Sequence, residues 1–157
     1  MAAASVRILT APTQSEIAAL GGIFDRYRAH YGESSHVSSE RWLGRYLGTG
    51  QLRAFVAEEE GNAVGFATTI EIPASLRLAH FWQIRDLFVL PTHRRLGIGS
   101  ALLASIRNAA IASGALRLVL QTENDNESAL RIYAASGYRV IDGYCSLMLP
   151  LDPQQQT

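Results

Sequence analysis

Residues Asp86 to Leu103 read DLFVLPTHRRLGIGSALL. A β-type run from Phe81 to Leu90 is closed by Pro91, and a loop then carries His93, Arg94 and Arg95. Gly97 and Gly99 open a helix predicted over Ile98–Ala112, on which Ile98, Leu102, Ile106 and Ala109 share one face. Glycines at such a junction let backbone amides approach a ligand closely. The helix start adds unpaired N–H groups and the positive end of its dipole. That chemistry suits a phosphate or pyrophosphate, with Arg94 and Arg95 adding charge. The same glycines also serve a tight strand-to-helix turn with no ligand, and the residues alone leave both readings open. A Walker-type loop is excluded, because the sequence contains no lysine. A dinucleotide fingerprint would need a third glycine where Leu102 stands.

Working outward, Val6–Leu9 reads as a short strand stopped by Pro12, and Thr13 and Glu16 have capping-box spacing. Ile17, Leu20, Phe24, Tyr27 and Tyr31 then fall on one helical face, and a second short helix fits Glu40–Leu47. Arg53–Ala57 and Ala63–Ile72 read as strands joined by a turn at Glu60-Gly61-Asn62. Beyond the central stretch, Ala115–Gln121 is a compact apolar strand and Asn126–Ser136 a helix closed by Gly137. Tyr138–Leu149 is expected to be a final strand. An antiparallel meander followed by strand–helix–strand–helix–strand gives an α+β (mixed α/β) fold. One domain is expected over residues 1–151, with residues 152–157 a flexible tail.

The 157 residues suffice for a core without staples, and 48% of them are hydrophobic. Fourteen basic residues balance fourteen acidic ones, which argues against a protein that coats nucleic acid or anionic membrane. All the basic residues are arginine, which excludes Schiff-base chemistry and a Ser-Lys nucleophile pair. Cys145 is the single cysteine, and on the last strand it reads as core rather than nucleophile. His30, His36, His80 and His93 show no metal spacing, so no metal is expected. Met1–Ser5 lacks the features of a signal peptide, and no apolar run approaches the ~18 residues of a membrane-spanning helix. The expectation is a cytoplasmic protein.

Arg94, Gly97 and Gly99 fill the pattern R-x-x-G-x-G, and Asn126, Ala129 and Tyr133 fill N-x-x-A-x-x-x-Y ahead of Gly137-Tyr138. In these two segments, in this order, the chain resembles the GNAT superfamily of acetyl-CoA-dependent N-acetyltransferases. The resemblance covers Val6–Leu149 in pattern and residues 86–138 in specific motifs. Leu96 departs from the glycine frequent at that point of the loop, a mild change where backbone amides do the binding. The resemblance implies a twisted, mostly antiparallel mixed sheet of six to seven strands flanked by about four helices.

It also implies roles. Leu87, Phe88 and Val89 would lie on a strand splayed from Leu116–Gln121 and pair with the pantetheine arm of acetyl-CoA through backbone groups. Arg94 belongs to the same cofactor loop, in which Arg95, Leu96, Gly97, Ile98, Gly99 and Ser100 would cradle the pyrophosphate. Asn126 would hydrogen-bond near the thioester, and Tyr133 would give a proton to the departing thiolate.

The acceptor amine must be neutral to attack. An alkylamine titrating near ~10.4 is neutral in only about one molecule in 2,500 at pH 7, a cost of roughly 4.6 kcal/mol. A carboxylate can take that proton. Asp86 is the acid on the strand before the loop, as base, as substrate anchor or as a structural acid, with Glu71 and Glu123 in reserve. His30, Tyr31 and Glu33, with Trp42, sit in the helical region that often forms the acceptor wall in this family, while Tyr27 reads as packing. The expected partner is a small-molecule amine such as a polyamine or amino acid. Relatives often pair through the C-terminal strand, which suggests a homodimer. The alternatives are a protein lysine or N-terminal acetyltransferase, and a non-catalytic acyl-CoA-binding sensor.

Overall fold

The computed structural model describes residues 4–34 and 37–151. The expected tail at 152–157 and His36 therefore lie outside the described residues. The chain runs β1 (Ser5–Leu9), α1 (Gln14–His30), α2 (Ser39–Gly48), β2 (Arg53–Glu59), β3 (Asn62–Ala74), β4 (Ala79–Val89), α3 (Ile98–Ala112), β5 (Leu118–Val119) and α4 (Glu127–Ala135). The strands form one sheet in the order β1-β2-β3-β4-β5. The first four are antiparallel neighbours, and β5 joins β4 in parallel.

The capping box forms as expected. The Thr13 N–H donates to Glu16 Oε2 at 2.7 Å, and the Glu16 N–H donates to Thr13 Oγ1 at 3.3 Å. Arg7 of β1 pairs with Glu16 and with Glu58 of β2, tying the start of α1 to the sheet edge.

Strand alternation sends side chains to two cores. Ala54, Val56 and Phe66 pack with Leu20, Phe24, Leu43 and Leu47 under α1 and α2. Phe55, Ala57 and Ala67 pack with Leu102, Leu103 and Ile106 of α3, and Ile132 and Tyr133 of α4 rest on the same cluster. Each fully buried Leu or Phe contributes roughly 1.5–3 kcal/mol, so the helices on both faces are held mainly by this burial.

One irregularity shapes everything downstream. In the β3–β4 ladder Thr68 faces Asp86 but Thr69 faces Ile84, so Arg85 is the extra residue of a β-bulge. Before the bulge, Trp82 and Ile84 belong to the α3 core. After it, Phe88 belongs to the α1 core. Simple alternation would place Ile84 and Phe88 on the same face.

The C-terminal expectation needs correction. Tyr138–Leu149 forms no ladder, and the sheet has five strands among the described residues rather than six to seven. β5 offers two paired residues instead of the seven expected for Ala115–Gln121. Gly143, at φ 83°, breaks the apolar run in its middle. Val140, Tyr144, Leu147 and Met148 are 82–91% exposed, and Cys145, expected in a core, is exposed too. A period-two pattern favours an extended backbone but does not supply a strand to pair with. Among the described residues no helix is long and apolar enough to cross a membrane.

Candidate active site

The β4–β5 pairing is short. The Leu116 N–H donates to the His80 carbonyl at 2.9 Å, and the Trp82 N–H donates to the Arg117 carbonyl at 3.1 Å. The register ends at Gln83 opposite Val119. From Ile84 to Val89, β4 keeps β3 on one side and has no strand on the other among the described residues. Leu87, Phe88 and Val89 all lie in this open half.

The strand leads into a turn at Pro91–His93, pinned by two side chains. Arg94 folds back, donating Nε–H to the Val89 carbonyl at 3.0 Å, with its guanidinium 5.7 Å from the Phe88 ring. His93 Nε2 lies 3.2 Å from Glu59 Oε2 on the β2–β3 hairpin. Arg94 thus braces the loop, although Arg94, Arg95 and Leu96 are all exposed.

Arg95 (φ 62°) and Gly97 (φ 80°) are both left-handed, a pair of kinks that turns successive amides inward. No side chain caps α3, whose first intrahelical bond runs from the Ala101 N–H to the Gly97 carbonyl at 3.0 Å. The N–H groups of Ile98, Gly99 and Ser100 therefore have no partner within the helix. Such a nest fits a pyrophosphate, the group the loop was expected to hold.

Two glycines set how closely this helix start seats. A Cβ on Gly99 would lie 2.7 Å from Ile132 Cδ1, so this glycine admits α4 against α3. A Cβ on Gly65 in β3 would lie 3.1 Å from both the Phe88 carbonyl and Ile98 Cγ2. Gly65 sits on the neighbouring strand, opposite Val89, and nothing in the sequence pattern singled it out.

Asn126 is the N-cap of α4, its Oδ1 accepting from the Ala129 N–H at 3.2 Å. This bond orients the helix that carries Tyr133. Burial, with Tyr138, Tyr31 and Glu123 nearby, pushes the Tyr133 phenol up to about 12, so it remains a protonated donor at neutral pH. Its hydroxyl makes no hydrogen bond among the described residues.

Asp86 is reached from two elements. Tyr27 of α1 donates its hydroxyl to Asp86 Oδ1 at 2.9 Å, and the buried Thr68 hydroxyl donates to Asp86 Oδ2. Tyr27 is thus more than the packing residue its periodicity suggested. Its ring centroid lies 5.3 Å from Tyr31 and 5.6 Å from Phe88, and His30 lies 6.0 Å from Phe88. His30 and Tyr31 therefore join the Asp86 side of the cleft. Glu33 does not, lining instead a shallow groove with Asp25, Arg28 and Glu40 between α1 and α2.

The reserve carboxylates separate cleanly. Glu71 pairs with Arg53 at 3.0 Å, opposite Trp82 on the closed half of the ladder. Glu123 is held ionised, its pKa lowered by its own N–H, then by Asn126 and Thr122. Among the described residues no cluster of three or more His, Cys, Asp or Glu is placed to hold a metal.

Comparison with known proteins agrees with this geometry. The model of the acetyltransferase (GNAT) family matches residues 11–138. The chain is 32% identical over 131 residues to the uncharacterized N-acetyltransferase YhfO of Bacillus subtilis (strain 168), spanning 83% of this chain and 88% of that one. A crystal structure of a probable acetyltransferase superposes with a TM-score of 0.85 at 26% identity, covering 94% of this chain and 98% of the other. A predicted acetyltransferase from Clostridium acetobutylicum, solved with acetyl-CoA, shares the fold with a TM-score of 0.72 at 19% identity over 92% of this chain and 96% of its own. The family match and the fold agree, and this chain is an acyltransferase that belongs to the acetyltransferase (GNAT) family.

Proposed function

We propose that the protein transfers an acetyl group from acetyl-CoA to the primary amine of a small molecule by direct attack in a ternary complex. The observation that carries this reading is the open edge of β4, running from the amide nest of α3 toward Asp86 and Tyr133. Acetyl-CoA supplies an activated acetyl thioester and, in its pantetheine arm, amides that can add to an exposed strand edge. Leu87, Phe88 and Val89 offer that edge, Ile98, Gly99 and Ser100 offer amides to the pyrophosphate, and Asn126 holds α4 in place beside it.

Tyr133 faces the departing sulfur as a hydrogen-bond donor. A thiol titrates near ~8.5, about 3.5 units below this phenol, so full proton transfer to a free thiolate is uphill by roughly 4.8 kcal/mol. Tyr133 therefore acts first as a hydrogen-bond donor to the charge developing on sulfur, and its proton is transferred only as the second nitrogen proton replaces it.

The acceptor side carries Tyr27, His30, Tyr31 and Phe88 with the Asp86 carboxylate. Electron-rich ring faces beside a carboxylate favour a cationic amine such as a polyamine or a diamino acid. The test is thiol release from acetyl-CoA across polyamines, amino acids, aminoglycosides and lysine peptides. Because the chain has no lysine, acetylation of the protein by itself is confined to its N-terminal amine. Tyr133→Phe is expected to lower turnover about 100-fold with acetyl-CoA affinity unchanged. Equal turnover by this variant would remove Tyr133 from the chemistry, and activity on lysine peptides alone would move the acceptor to proteins.

A further inference from the structure

The acid on the open half of β4 is half-buried, and each of its oxygens already accepts a hydroxyl of the protein. Asp86 Oδ1 accepts the Tyr27 hydroxyl at 2.9 Å, and Oδ2 accepts the hydroxyl of Thr68, a residue with no exposed surface. Of the two hydroxyls held on this carboxylate, only that of Tyr27 belongs to a residue with exposed surface, so a relay to Asp86 through a protein hydroxyl runs through Tyr27. The Tyr27 oxygen still has lone pairs after donating its own hydrogen. Its ring is fixed by Phe24, Phe66 and Phe88, with centroids 5.4 to 5.6 Å apart in each Tyr27 or neighbouring Phe24–Phe66 contact.

We propose that Tyr27 is a proton relay, taking the acceptor's ammonium proton on its oxygen as it passes its own hydrogen to Asp86. The inference rests on the amine-acetylation reading above and adds the pathway by which the nucleophile is made neutral. Tyr27 does not act as a phenolate. Burial first, and then the Asp86 charge and hydrogen bond, raise its pKa far above the ordinary phenol value, so the hydroxyl stays protonated and only a coupled shift of two protons is open to it.

The step balances. One N–H bond of the ammonium breaks and a new O–H bond forms on Tyr27, while the old Tyr27 O–H proton ends on Asp86 Oδ1. The freed nitrogen lone pair forms the N–C bond to the acetyl carbon. The C–S bond breaks, and sulfur takes the Tyr133 proton. The second nitrogen proton, released as the amide forms, restores the Tyr133 phenol. Asp86 returns its proton to water after the product leaves, so each turnover releases one proton.

The experiment measures kcat/KM from pH 6 to 10 for the unaltered protein, Tyr27→Phe, Asp86→Asn and the double variant, using the best amine of the panel. At pH 7 each single variant is expected to lose about 100- to 1,000-fold, the scale of general base catalysis. The loss should shrink to within a few fold near pH 10, where roughly a quarter of an amine titrating near ~10.4 is already neutral. The double variant should be as slow as either single one, because the two residues act as a unit. Acetyl-CoA affinity, read by calorimetry, should not change.

A deficit of the same size at every pH would make the pair a substrate anchor and overturn the relay, as would full activity in Tyr27→Phe. If a variant fails to fold, a proton inventory of the unaltered protein in H2O–D2O mixtures decides. A bowed dependence of kcat/KM on deuterium fraction fits two protons in flight, and a straight line refutes them. A parent protein that binds acetyl-CoA but acetylates no amine would sink the proposed function and the relay with it. Parent turnover with undiminished variants would sink the relay alone.

Discussion

The two halves of β4 differ more than their sequences suggest. Ala79–Gln83 is paired on both edges, by β3 and by β5, and Trp82 is 3% exposed in the α3 core. Ile84–Val89 is paired on one edge only, and beyond the Arg85 bulge its inward side chains, Asp86 and Phe88, point toward α1. One extra residue thus turns Asp86 and Phe88 toward α1 in the half of β4 that has one free edge among the described residues. In a regular strand Asp86 would share the face of Ile84.

The hardest way to break this division is to delete Arg85. The register behind it would flip, driving Asp86 toward one apolar core or Phe88 out of the other, and we expect loss of a cooperative thermal transition. Arg85→Ala keeps the residue count and changes an exposed side chain, so it should stay within about 0.5 kcal/mol of the parent. A stable deletion variant would show that the bulge is incidental.

Gly97→Asp attacks the functional half without touching the structural one. A non-glycine residue at φ 80° costs about 1–2 kcal/mol, and a carboxylate there repels the anion the nest should hold. Acetyl-CoA affinity is expected to fall by about 100-fold or more, with the fold retained. Unchanged affinity by calorimetry would sink the pyrophosphate assignment.

Gly65→Ala tests the seam between the halves and α3. The added methyl crowds the Phe88 carbonyl and Ile98, and overpacking of this kind costs about 1–3 kcal/mol. The melting temperature should drop, and turnover should fall with it, because Ile98 begins the helix that carries the nest.

The smallest effect is one of pH. Burial raises Tyr27, Tyr133 and Tyr138 above the ordinary phenol value, Tyr133 to about 12. Below pH ~10 both folded and unfolded chains keep these phenols protonated, so they add no pH dependence there. As pH rises from about 10 to 12 the unfolded chain loses these protons first, and stability should decline. An alkaline unfolding series on Tyr133→Phe should show a shallower decline, and an identical slope would mean that Tyr133 is not shielded.

Much of the half formed by β4, α3 and α4 was legible in residue types. Helix α3 begins and ends where its periodicity predicts, because Ile98, Leu102 and Ile106 can be buried only on one face. Asn126 and Tyr133 were named from one motif, and the structure gives the first a capping role and the second a hydroxyl with no protein partner among the described residues. The acceptor side was less legible. Tyr27, Thr68 and Asp86 come from three separate elements, and a helical stripe reads the same whether its tyrosine packs or reaches across to a carboxylate.

The sequence by itself determined the glycine loop ahead of α3, the capping box, the alternation that gives the sheet two buried faces, and the family. Each of these rests on residues within one or two turns of each other, where backbone geometry links spacing to position. Only the tertiary structure decided that Arg85 is a bulge, that Asp86 accepts the Tyr27 hydroxyl, that Glu33 turns away from the cleft, and that Tyr138–Leu149 has no strand to pair with. Those outcomes depend on partners brought together from 18 to 59 residues apart, and a local pattern carries no information about which distant group will stand opposite.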